Sequence, residues 1–156
     1  MSDITERLRK KVIKLAPVAQ SLSELSKDPD RRVAAVAFDD DLTILSVGYN
    51  GPPRGVEDLP ERLTRPGKYE GWVSHAEENM VAQAARVGVS LKGQNAMVTA
   101  LKPCSTCTRL IIQSGIKRLF VPDVSMSERW SAEWETSRVM LGEAGVEVVS
   151  YRHDTN

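Results

Sequence analysis

The sequence predicts an α/β protein, a three-layer α/β/α domain on a mixed five-stranded sheet whose first hairpin is antiparallel. Three observations carry that prediction. Apolar residues recur at helical spacing near the start, two adjacent strand-like runs follow, and the second half alternates strand, helix, strand, helix, strand. Such alternation implies parallel strands joined by right-handed crossovers. The 156 residues suit one domain, 1–156, long enough to bury a sizeable core without disulfides.

Over residues 4–25, Leu8, Val12, Leu15, Val18, Ala19, Leu22 and Leu25 recur three and four apart and mark one face of a helix. Its charged residues Arg7, Arg9, Lys10, Lys11 and Lys14 read as a solvated face. Pro17 predicts a kink or a split, and Ser26-Lys27-Asp28-Pro29 a stop. Residues 32–38 and 42–49 form two strands around the acidic turn Asp39-Asp40-Asp41. The first strand is unusually small, Val33-Ala34-Ala35-Val36-Ala37, as if it lay close to a helix or a ligand.

Residues 50–72 are rich in proline, glycine and charge and show no period, so they read as a functional loop, a wall or lid. Helices follow at 74–87, ended by Gly88, and at 103–114, with Pro103 in the first turn and Gly115 beyond the end. A third covers 128–144. Strands are expected at 95–101, 117–121 and 146–151.

The chemistry is concentrated between Ser74 and Cys107. Ser74-His75-Ala76-Glu77 and Pro103-Cys104-Ser105-Thr106-Cys107 include the only two cysteines in the chain. One imidazole and two thiolates suit Zn²⁺, and three protein ligands leave a fourth position for water. Helix amino termini lower thiol pKa values, and spacing i, i+3 puts both sulfurs on one face. His-x-Glu followed by Pro-Cys-x-x-Cys matches the pattern of zinc deaminases of nucleobases, in which the glutamate moves protons and is not a ligand. Glu77 is thus the candidate acid/base.

Two other readings compete. Ser74-x-x-Glu77 also forms a capping box. A closed Cys₂His₂ site completed by His153, the only other histidine, would be structural. Of the tryptophans, Trp72 is the candidate to stack on a base, whereas Trp130 and Trp134, four apart on one helix face, read as core or interface.

Lysine plus arginine and aspartate plus glutamate number 21 each, which argues against a nucleic-acid partner. Two cysteines three apart indicate a metal or redox role in a reducing cytoplasm. No eighteen apolar residues run together and no apolar leader opens the chain, so no membrane association is expected.

The blocks Ser26-Lys27-Asp28-Pro29, Gly48-Tyr49-Asn50-Gly51-x-Pro53, His75-Ala76-Glu77-x-Asn79, Pro103-Cys104-x-x-Cys107 and Leu110-Ile111-Ile112-x-x-Gly115-Ile116 occur in that order. In this the chain resembles the cytidine/deoxycytidylate deaminase superfamily, and more closely its deoxycytidylate branch. The resemblance implies a cytidine-deaminase-like fold, one catalytic Zn²⁺ on His75, Cys104 and Cys107, and Glu77 as proton shuttle. It implies the Ala76 backbone against the base, Asn50 on the sugar or base, Lys27 or a nearby arginine on the 5′-phosphate, and Ser26 and Ala34 near the nucleotide. It further implies hydrolysis of dCMP to dUMP and ammonia for dTMP supply, a homo-oligomer with a hexamer favoured, and dCTP and dTTP as effectors, with Mg²⁺.

Ala34 stands where that branch commonly has glycine, and Met80 where it commonly has alanine. Ligands for the second, structural zinc of some members are missing. The alternatives on the same scaffold are deamination of dCTP, a modified dCMP, a nucleoside or tRNA adenosine. From another class, the rival is a non-catalytic zinc or nucleotide-binding module.

Overall fold

The computed structural model describes residues 1–152. Its elements are α1 (Asp3–Ser23), β1 (Ala34–Phe38), β2 (Ile44–Tyr49), α2 (Pro60–Leu63), α3 (Ala76–Val87), β3 (Asn95–Val98), α4 (Ser105–Gln113), β4 (Arg118–Pro122), α5 (Glu128–Glu143) and β5 (Glu147–Tyr151). One sheet runs β2-β1-β3-β4-β5. β1 pairs antiparallel with both β2 and β3, while β3, β4 and β5 are parallel. The mixed sheet and its antiparallel first hairpin are those the sequence predicts.

Alternation along β1 separates the two faces, because successive strand side chains point to opposite sides. Val36 and Phe38 pack with Met97, Phe120 and the α1 residues Leu8, Val12, Leu15 and Ala19. Ala35 and Ala37 face the other way, toward Ala76, Met80 and Ala84 of α3, Ile111 of α4 and Leu141 of α5. Three layers result: α1, the sheet, and α3, α4 and α5 together. Among the described residues no helix is long and apolar enough to cross a membrane.

The small residues of the hairpin meet α3, as the sequence suggested. A methyl group on Gly48 would lie 2.2 Å from the Ala76 carbonyl oxygen and 2.3 Å from the Met80 nitrogen. Both are backbone atoms that no rotamer change can move. Glycine is therefore what lets α3 lie directly on β2.

Several boundaries differ from expectation. α1 runs without interruption through Pro17, which neither ends nor splits it. Burial of Leu15, Ala16 and Ala19 around the proline offsets a local cost of about 3 kcal/mol. The segment 50–72 is not structureless. It holds α2 and a 3₁₀ turn at Gly67–Tyr69, and Lys68 ties it to Asp28 and Asp30 at 3.2 and 3.0 Å. A one-residue bridge between Gly51 and Ser74 closes it just ahead of His75. α3 starts at Ala76 and not Ser74, and α4 at Ser105 and not Pro103, leaving His75 and Cys104 as the N-cap residues.

Replacing Gly48 with alanine should lower stability by about 1–3 kcal/mol or more, the cost of overpacking against backbone. Urea unfolding of the variant beside the wild type measures it.

Candidate active site

The amino termini of α3, α4 and α5 follow the bridge at Ser74, the strand β3 and the strand β4, at the edge where the parallel strands end. In open α/β sheets that carboxyl edge is where ligands bind. His75 and Cys104 are extended N-caps, with φ, ψ of −72°, 161° and −73°, 171°. His75 Nδ1 lies 3.5 Å from Cys104 Sγ and 3.4 Å from Cys107 Sγ. The three ligand atoms fall within 4.8 Å of one another.

Both cysteines are buried and unbridged, while the imidazole is exposed. A tetrahedral Zn²⁺ bound at about 2.0 Å to nitrogen and about 2.3 Å to sulfur holds those donors about 3.6 Å apart. The observed spacing and the donor chemistry fit that ion. Among the described residues three donors gather here; His153, the candidate fourth, lies outside them.

The trio carries charge of its own. Hydrogen bonds from the Cys107 thiol and from His75 draw the Cys104 thiol down to about 4. Cys107, donating to that thiolate, is pushed up. His75 rises to about 9, first through its hydrogen bond with Cys104. An imidazolium and a thiol grouped around a thiolate are held by protons that a metal displaces on binding.

The position of the cap decides between the two readings of the glutamates. Counting from Ser74, Glu77 would close the box; with the N-cap at His75, its partner becomes Glu78. The His75 N–H donates to Glu78 Oε2 at 2.6 Å. Glu77 is left to turn inward, 5% exposed, with burial driving its carboxyl pKa upward. Its carboxyl group meets the Cys107 thiol and feels the charges of His75 and Cys104.

A cavity of about 460 Å³ opens at the same edge, walled by Asn50, Arg31, Arg65, Tyr69, Arg129 and Trp130 among others. Asn50 is 7% exposed. Its Oδ1 accepts from the Val33 N–H at 2.8 Å, and its Nδ2 donates to the Arg31 carbonyl at 2.9 Å and to Asp28 at 3.3 Å. Ser26 donates its hydroxyl to the Asn50 carbonyl at 2.8 Å. Lys27 pairs with Asp58. Ala34 is fully buried, its N–H given to Thr99 Oγ1 at 2.8 Å. Of the expected residues, then, His75, Glu77, Cys104 and Cys107 converge, with Ala76 beside them at the start of α3. Asn50 lines the cavity, and Ser26 supports Asn50 from behind.

Trp72 is stacked under Arg62, 4.1 Å from the ring centre, outside the cavity wall. Trp134 packs on the core, but Trp130 faces the cavity. Sequence reasoning missed Arg65, Arg129 and Trp130 as lining residues, since no motif or spacing relates a loop to a helix some sixty positions on.

A family model described as the cytidine and deoxycytidylate deaminase zinc-binding region matches residues 7–122. The chain belongs to that family. The matched stretch of this deaminase contains all four converging residues. An uncharacterized deaminase in the luxG 3′ region of Aliivibrio fischeri is 38% identical over 84% of this chain and 86% of its own length. Human deoxycytidylate deaminase is 36% identical over 83% and 72%. The crystal structure of the dCMP deaminase of cyanophage S-TIM5 in complex with dCMP and dUMP superposes with a TM-score of 0.70. It is 25% identical and covers 96% of this chain and 98% of its own.

Removing the cap carboxylate with Glu78→Ala should lower stability by about 0.5–2 kcal/mol, the range for lost helix caps. Thermal unfolding gives the loss, and a metal assay on the same variant should still find one zinc.

Proposed function

We propose that the chain is a zinc-dependent dCMP deaminase, converting dCMP and water to dUMP and ammonia. The observation that carries the reading is the buried Glu77 carboxyl group beside three metal donors; the cavity with its cationic wall opens on the same sheet edge, lined by none of those four residues. Support for the nucleotide comes from the deoxycytidylate deaminases among its relatives and from the phage enzyme that holds dCMP and dUMP.

In this reading His75 Nδ1 and the sulfurs of Cys104 and Cys107 hold the ion. Bound there, Zn²⁺ supplies a hydroxide nucleophile at neutral pH. Burial keeps the Glu77 carboxyl group able to carry a proton near neutrality. Its oxygen accepts a proton from the attacking water and delivers it to N3 of the pyrimidine, then accepts the proton of the hydroxyl newly added at C4 and delivers it to the departing amine, so that the C4–N bond breaks, the C4 carbonyl forms and ammonia leaves. The Ala76 backbone bounds the base. Asn50 shapes the sugar end, its amide held in one orientation by Val33, Arg31 and Asp28.

The cavity wall favours a phosphate over a bare nucleoside. Lys68 is neutralised by Asp28 and Asp30. Arg31, Arg65 and Arg129 reach the same cavity from three segments and form no ion pair among the described residues. Arg65 acts on Asp30, and Arg129 on Glu133, through charge alone. Guanidinium groups suit phosphate oxygens, which they bind in a planar fork. Of the cations the resemblance offers for this purpose, Lys27 or a nearby arginine, Lys27 is turned to Asp58, and Arg31 lines the cavity.

The length supports a single domain and the two cysteines a reducing cytoplasm, and the family resemblance adds a homo-oligomer, hexameric in preference. It also adds dCTP and dTTP as effectors, with Mg²⁺. The balanced charge supports a small-molecule substrate and no nucleic acid.

Ammonia release from dCMP, dCTP, CMP and deoxycytidine tests the substrate, with dCMP expected to be fastest. Glu77→Gln should keep zinc and fold and lose roughly 10²–10⁴ of the turnover, as when a general acid/base is removed. Unfolding in proportion to the lost activity would refute that role. Arg65→Gln or Arg129→Gln should shrink the ratio of kcat/KM for dCMP over deoxycytidine about ten- to hundredfold, the weight of one hydrogen bond to a charged group. An unchanged ratio in both would place the phosphate elsewhere.

A further inference from the structure

Helix α5 grips the chain on both sides of Cys104. On one side Glu133 Oε1 accepts from the Ser105 N–H at 3.0 Å and from its hydroxyl at 2.7 Å. On the other, Ser137 donates its hydroxyl to the Pro103 carbonyl at 3.3 Å. Glu133 and Ser137 are four residues apart and so share one face of α5. Ser137 is fully buried, Cys104 is 8% exposed, and Trp134 packs against the core between the two contacts.

The first N–H groups of a helix have no acceptor within it. In α4 the Cys104 sulfur accepts the Cys107 N–H at 3.5 Å, while the Ser105 N–H has nothing local. A sulfur that gives its charge to a metal is a poorer cap than one that does not. The carboxylate from α5 keeps the start of α4 capped whether or not the sulfur is engaged. Placing another negative charge near two thiolates works against forming them. A negative group on Ser105 is therefore better explained by geometry than by thiol activation, and its own pKa is held down by the Ser105 hydrogen bonds.

We infer that Glu133 and Ser137 are positioning residues for the metal: they clamp Pro103 and Ser105 so that the Cys104 sulfur faces Cys107 and His75. The inference rests on the metal assignment proposed above and not on the choice of substrate. None of the family motifs in the sequence includes either residue.

The test reads metal. Zinc is stripped from the purified protein and its affinity measured by competition with a chromophoric chelator, with Co²⁺ absorption reporting the thiolate geometry. Glu133→Ala should weaken zinc about ten- to hundredfold, as loss of groups that orient metal ligands does, and should shift the cobalt d–d bands. Glu133→Gln, which keeps an acceptor oxygen, should recover most of the affinity. Ser137→Ala should move it in the same direction by less.

Wild-type zinc affinity and cobalt bands in Glu133→Ala would overturn the inference, whatever its melting temperature. Should that variant fail to fold, Ser105→Ala decides, since it removes the hydroxyl arm alone: weaker zinc supports the clamp and unchanged zinc refutes it. A wild type that binds zinc tightly yet releases no ammonia from any nucleotide would sink the proposed activity and leave the clamp standing.

Discussion

The backbone of α3 rests on Gly48 of β2 so closely that one added methyl group would strike the Ala76 carbonyl. That contact sets the height at which His75 and Glu77 stand above the sheet. The alanines of β1 extend the same allowance, since larger side chains at positions 35 and 37 would lift the helix from the other strand. α4 is located separately, by Ile111 in the core and by α5 gripping the residues around Cys104. Two independently placed helix starts then bring an imidazole within 3.5 Å of two sulfurs.

Electrostatics divides the carboxyl edge into a dry part and a wet one. Burial pushes Glu77 toward its neutral form, and Cys107 is pushed the same way first by its hydrogen bond to the Cys104 sulfur and then by burial. Across the cavity the arginines remain exposed and charged. A proton shuttle needs the first environment, because its two protonation states must lie close in energy at working pH. A seat for an anion needs the second. In the proposed function the fold supplies both on one edge, with a loop and the first turn of α5 as the outer wall.

That loop is held as part of the structure. Lys68, 15% exposed, is bound to Asp28; Asp28 accepts from Asn50, and Asn50 accepts from Val33 at the head of β1. The chain of contacts runs from the outer wall to the sheet. Asp28 is 5% exposed and also accepts from the Asp30 and Arg31 N–H groups at 2.8 and 2.9 Å, so removing Lys68 would leave a buried carboxylate held by hydrogen bonds without its cation and loosen the tie between wall and floor.

The order of strands and helices, the metal donors and the class of chemistry were all legible in the sequence. Helix and strand periods are local, and a histidine with two cysteines three apart has few uses. Which glutamate caps α3 was not legible: a one-residue shift of the helix start passes the cap from Glu77 to Glu78 and turns Glu77 inward, and backbone packing decides that shift. Nor could local pattern show that Pro17 would be carried through α1, because the burial that offsets it lies across the sheet face. The cationic wall and the grip of Glu133 on Ser105 join segments far apart in the chain, which only tertiary packing brings together. Residue type determined what this protein can bind and which reaction it suits; the way α3, α4 and α5 converge on one sheet edge decided which residues are placed to do it.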